Sequence, residues 1–152
     1  MNKIEKHIEH YPNGQKKVEG NSKDGERDGK WTHWHENGQK DREKTYKHGR
    51  EDGLMTDWRK NGQKFYELTY KDGKKDGLET WWYPNGKKKS ETTYKGGKEN
   101  GLETWWYPNG KKKIEITYKD GKKDGKWTHW DENGQKVSEG ISKDDSIEIF
   151  LE

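Results

Sequence analysis

The chain is predicted to be all-β: a single-layer, curled antiparallel meander of six stacked 24-residue β-hairpins, solenoid-like in its repetition. Three observations predict this. The dipeptide Asn-Gly ends at Gly14, Gly38, Gly62, Gly86, Gly110 and Gly134, a spacing of 24 without a slip. Two further glycine series, Gly25 to Gly121 and Gly29 to Gly125, keep the same period, so the repeat accounts for 16 of the 19 glycines. Trp34, Trp58, Trp82, Trp106 and Trp130 are in phase with them, as are Thr32 to Thr128, Tyr46 to Tyr118 and Glu19 to Glu139.

The repeats fill residues 5–148, as 5–28, 29–52, 53–76, 77–100, 101–124 and 125–148, leaving 149–152 as a C-terminal tail. In the unit 77–100, Pro84-Asn85-Gly86 suits a type I turn followed by a left-handed glycine, which makes a three-residue hairpin loop with Tyr83 opposite Lys87. Simple alternation from that pair puts Leu78, Thr80 and Trp82 on one face with Lys88, Ser90, Thr92 and Tyr94. This face is the expected half-core, with the lysines Lys40, Lys64, Lys88, Lys112 and Lys136 lying across the tryptophans. Connectors such as Lys71-Asp72-Gly73-Lys74 are too short for a crossover helix, so neighbouring hairpins join as an antiparallel meander of twelve strands. With no helix to cover it, the sheet is expected to curl over its own aromatics.

Ser22 and Ser142 stand where inner units carry Tyr, Gly20 and Gly140 where they carry Leu68 or Ile116, and Lys30 and Lys126 where they carry Leu. These substitutions read as polar caps on the open edges. The tail residues Ile147, Ile149 and Phe150 are placed to fold over the last edge.

Composition narrows the function. With 23% hydrophobic and 40% charged residues the chain would read as disordered, but 12% aromatic content supplies buriable surface. Its 32 basic and 29 acidic residues alternate along each repeat rather than forming blocks. That is not the footprint of a nucleic-acid binder, and no nucleic-acid partner is expected. There is no cysteine for a disulfide or thiolate site. No apolar stretch approaches the ~20 residues of a membrane span, and a cytoplasmic location is the expectation.

No catalytic constellation breaks the repeat, so no enzyme, cofactor or metal is expected. His33 and His35 share a strand face, yet no third ligand is apparent. The Lys-Asp-Gly-Lys-Lys-Asp-Gly connectors match neither a phosphate loop nor a calcium loop.

The informative irregularity lies on the face opposite the expected half-core. Simple alternation sets Glu79 against Glu91 and Glu103 against Glu115, where other units offer Trp31, Met55 and Trp127. Trp81, Tyr83, Trp105 and Tyr107 stand beside them. Aromatics are binding hot spots and carboxylates steer cations, so these eight residues form a candidate site for a basic protein surface. Recent duplication of units 77–100 and 101–124, with the carboxylates neutralised by Lys89 and Lys113, explains the same residues without a partner.

The run Asp28-Gly29-Lys30-Trp31-Thr32-His33-Trp34-His35-Glu36-Asn37-Gly38-Gln39-Lys40, its near copy at Asp124–Lys136 and the trailing Tyr-Lys-Asp-Gly-Lys resemble the MORN repeat, and most closely the units of bacterial YwqK-type antitoxins. The resemblance covers about residues 5 to 148. It implies a non-enzymatic antitoxin or immunity protein that neutralises a polypeptide toxin by direct binding. Membrane-surface scaffolding and choline- or wall-type ligand binding stay open beside it.

Overall fold

The structure is a computed structural model that describes residues 3–150, the side chains of 147–150 excepted. The chain divides into two compact units, residues 1–74 and 75–152. The first contains β1 (Ile4–His10), β2 (Lys16–Lys23), β3 (Glu26–Trp34), β4 (Lys40–Lys47), β5 (Arg50–Trp58) and β6 (Lys64–Lys71). The second contains β7 (Lys74–Trp82), β8 (Lys88–Lys95), β9 (Lys98–Trp106), β10 (Lys112–Lys119), β11 (Lys122–Trp130), β12 (Lys136–Lys143) and β13 (Ser146–Phe150). Within each unit, strands that follow one another in sequence pair antiparallel, and among the described residues no helix forms.

Two kinds of turn alternate, each set by local chemistry. At the Asn-Gly loops, the Gly86 amide donates to the Tyr83 carbonyl at 3.0 Å and the Tyr83 amide to the Lys87 carbonyl at 2.8 Å, with Gly86 at φ +81°. This is the expected three-residue loop. The connectors are two-residue turns in which both residues take positive φ, as at Asp72 (48°) and Gly73 (78°). That geometry matches the right-handed strand twist and favours Asp-Gly.

One residue beyond each Asn-Gly loop the register departs from simple alternation. Trp82 pairs with Lys88, but Trp81 pairs with Ser90, which leaves Lys89 as an extra residue in a β-bulge. The same bulge falls at Lys17, Asp41, Lys113 and Val137, and at Phe65 in β6. A shift of one residue moves every later side chain to the other face. Thr80 therefore opposes Glu91, and Glu79 opposes Thr92.

The expected half-core is corrected accordingly. Trp82, Thr80, Leu78, Lys88 and Glu91 share one face, here the ladder face, whereas Tyr94, Thr92, Ser90, Glu79 and Trp81 share the other. The buried hydrophobic residues Trp31, Tyr46, Met55, Tyr66, Leu68 and Ile116 all lie on that second face, so it is the core face. The ladder face is a lattice of charge instead. Lys16, Lys40, Lys64, Lys88, Lys112 and Lys136 each pair with the glutamate three residues on. The lysines do lie over indoles, but over those of the next hairpin, as with Lys88 Nζ at 5.8 Å from the Trp106 ring centre.

The ends are also corrected. Ser22 and Ser142 are buried rather than solvent-facing caps, and His7 Nε2 shares a 2.7 Å hydrogen bond with Ser22 Oγ. Gly20 is a seat for an indole: a Cβ there would lie 2.2 Å from Trp31 Cδ2. The tail supplies a thirteenth strand, β13, paired along β12 from Ser146 to Phe150. How Ile147, Ile149 and Phe150 pack, and the whole of Leu151-Glu152, lie outside the described residues.

Candidate functional site

The bulge splits the eight expected residues. Glu91 and Glu115 lie on the ladder face, paired with Lys88 and Lys112, and oppose Thr80 and Thr104 rather than Glu79 and Glu103. The like-charge opposition expected from simple alternation does not occur. Tyr83 and Tyr107 serve the scaffold: their hydroxyls donate to the carbonyls of Trp106 and Trp130 at 2.9 and 3.0 Å. Tyr11 makes the same bond to Trp34 at 2.8 Å. The four remaining residues, Glu79, Trp81, Glu103 and Trp105, are brought together on the core face of the second unit.

Their arrangement follows from the register. Ser90 on β8 lies between Trp81 on β7 and Trp105 on β9. Ser90 is 3% exposed, whereas the two tryptophans are 39% and 36% exposed. Two indoles thus stand about 10 Å apart, two strand spacings, over a small floor. In the next row Thr92 lies between Glu79 and Glu103, and Ile116 flanks Glu103 on β10. Corresponding positions in other repeats hold Trp31, Met55 and Trp127, so carboxylates here stand where those repeats carry large apolar side chains.

The two carboxylates are held differently. Glu79 is buried and receives Lys75 Nζ at 2.9 Å, while the same ammonium lies 4.6 Å from the centre of the Tyr94 ring. Glu103 is half-buried and accepts from the hydroxyl of Thr92, whose Oγ1 lies at 3.5 Å. Burial, and then the Glu103 carboxylate, pushes the Tyr118 phenol up to about 12, so it stays a proton donor at neutral pH. Burial, followed by Glu79 and Glu99, pushes Tyr94 up as well.

Sequence reasoning missed Ser90, Thr92, Tyr94 and Tyr118 as members of this face. The signal available was the tyrosine column itself, which is best buried beside Leu68 and Ile116. In the first unit the same row is filled from within: Arg42 Nε and Nη2 donate to both oxygens of Asp57 at 2.6 and 2.7 Å. His33 is next in that row, and burial followed by Arg27 holds its pKa below the ordinary value.

Among the described residues no group of three or more His, Cys, Asp or Glu could hold a metal ion. The face offers stacking surface, carboxylate acceptors and hydroxyl donors, a chemistry of recognition. No curated protein matches the chain. Residues 27–48, 51–72, 75–95, 99–120 and 123–144 each match the MORN repeat variant, five consecutive copies over most of the sequence, and the chain belongs to that family of binding repeats.

Proposed function

We propose that this protein is a non-enzymatic antitoxin or immunity factor that acts in the cytoplasm by binding a polypeptide toxin and covering its working surface. The observation that carries the reading is the pair Trp81 and Trp105, exposed on the face that otherwise buries the core. Tryptophans flanking a buried serine and bordered by carboxylates have the make-up of a protein-binding hot spot for a basic partner. A formal net charge of only +3, spread over both faces, argues for a protein rather than an anionic lipid surface.

The test is co-expression and capture of the product of a neighbouring toxin gene. Trp81→Ala and Trp105→Ala should each weaken capture by about 2 kcal/mol, roughly 30-fold. Leu78→Ala and Leu102→Ala, exposed on the ladder face, should leave it unchanged. Loss of capture with the leucine variants alone, or failure of the protein to protect cells from that toxin, overturns the proposal.

A further inference from the structure

The repeats show what the core face does with a cation when the chain supplies one. In the matched repeat 27–48, the Arg27 guanidinium lies 4.4 Å from the centre of the Trp31 ring and 5.3 Å from that of Tyr46, and its Nη1 donates to Tyr46 Oη at 3.1 Å. Two repeats later Lys75 occupies the equivalent position and meets the equivalent partners, the Tyr94 ring and Glu79. An aromatic ring and a cation from the start of the same strand pair form a filled cradle in both places.

In the following repeat the pattern is inverted. The equivalent of Arg27 and Lys75 is Glu99, the equivalent of Trp31 is Glu103, and Tyr118 stands for Tyr46. Glu99 Oε1 accepts from the Tyr94 hydroxyl at 3.4 Å, Glu103 accepts from Thr92 Oγ1 at 3.5 Å, and burial and then the Glu103 charge raise the pKa of the Tyr118 phenol. Among the described residues neither carboxylate has an ion-pair partner. The lysines nearest in register do not supply one: Lys75 is held by Glu79, and Lys123, opposite Tyr118, pairs with neither. Trp105, Glu103 and Glu99 point to the same face along β9, because they oppose Ser90, Thr92 and Tyr94 in turn on β8. The cradle is built, carries two negative charges, and lacks the cation that its counterparts contain.

We propose that the cradle of Trp105, Glu103, Glu99 and Tyr118 receives an arginine side chain of the partner polypeptide. This rests on the reading of the core face as a protein-binding surface. A guanidinium suits the position better than an ammonium, because its plane stacks on an indole while its edge, with five donors, reaches two carboxylates. Arg27 against Trp31 and Arg42 against Asp57 show each half of that interaction on the same face. The half-buried setting beside Ile116 strengthens the attraction, since water screens it less.

The test uses the full chain and three capped tripeptides, acetyl-Gly-X-Gly-amide with X as arginine, lysine or citrulline, with choline chloride as a fourth probe. Indole Nε1 resonances are followed by heteronuclear NMR and assigned by single Trp→Phe variants. The arginine peptide should shift Trp105 saturably and leave Trp34 unmoved, the lysine peptide should bind at least several-fold more weakly, and the uncharged citrulline peptide should not bind. Glu103→Gln should weaken the arginine peptide at least 10-fold. Glu99→Lys restores the pattern of the Lys75 repeat and should abolish binding while the thermal midpoint is kept. No shift of Trp105, an equal response to citrulline, an equal response to choline, or full binding by Glu99→Lys overturns the assignment. Toxin capture separates the two proposals: if Trp81→Ala and Trp105→Ala lose the toxin while Glu99→Lys keeps it, the arginine cradle fails and the binding face stands.

Discussion

Replacing Glu103 with methionine should make the protein more stable and a poorer binder. The positions equivalent to Glu103 in other repeats include Trp31, Met55 and Trp127, and its counterpart Met55 is buried opposite Leu68. Full burial of a methionine is worth about 1.5–3 kcal/mol, so a half-buried site returns about 1 kcal/mol. Removing a carboxylate that has no ion-pair partner from beside Ile116 adds on the order of 1 kcal/mol in relieved desolvation. Against this stands the hydrogen bond from Thr92 Oγ1, about 1.5 kcal/mol at the low end for a charged acceptor because it is long at 3.5 Å. The net is a stabilisation of about 0.5 kcal/mol. Urea denaturation reads it as a higher midpoint at unchanged m-value. A loss of more than about 1 kcal/mol would show that Glu103 is held for structure, and the reasoning would be refuted.

Three further outcomes are expected. Leu68→Ala should cost about 2–5 kcal/mol, since Leu68 is 0% exposed and its loss leaves a cavity beside Met55; denaturant unfolding measures it. Gly20→Ala should destabilise by about 1–3 kcal/mol or more, because the new Cβ meets an indole whose Nε1 is tied to the Asn21 carbonyl at 2.9 Å, and the change should be visible in near-ultraviolet circular dichroism. Acid should loosen the ladder face. Hydrogen bonds from Lys126 and then Lys136 hold Glu139 down at about 2, and Lys16 and then Lys6 lower Glu19, both from an ordinary value of 4.5. Depressed carboxylates favour the folded state above the unfolded value, so thermal stability should fall as pH drops from about 4.5 towards 2. A midpoint that is flat across that window would remove the ladder from the account.

Much of the fold could be read from the repeat because its turns are local. Pro84-Asn85-Gly86 and Asp72-Gly73 dictate their own geometry from the residues present, and the strands between them have no alternative pairing. The faces were not legible. The bulged position is Lys17, Asp41, Phe65, Lys89, Lys113 and Val137 in successive repeats, residues with no side-chain property in common. What fixes the bulge is packing: it brings the tyrosines beside Leu68 and Ile116 and frees the glutamates to meet their lysines. Glu79, Trp81, Glu103 and Trp105 stayed together through the change of register, because all four lie on the strands before the bulge. Glu91 and Glu115 lie after it and moved to the other face. Gly20 was opaque for a different reason: a missing side chain reads as a cap until the indole above it is seen.

The register itself can be measured most directly by nuclear Overhauser contacts from the Trp105 ring. The account predicts contacts to the side chains of Ser90 and Ile114, its cross-strand partners on β8 and β10. Contacts to Lys113 in place of Ile114, with Glu103 facing Glu115, would contradict it and would dissolve both the core face and the site built on it.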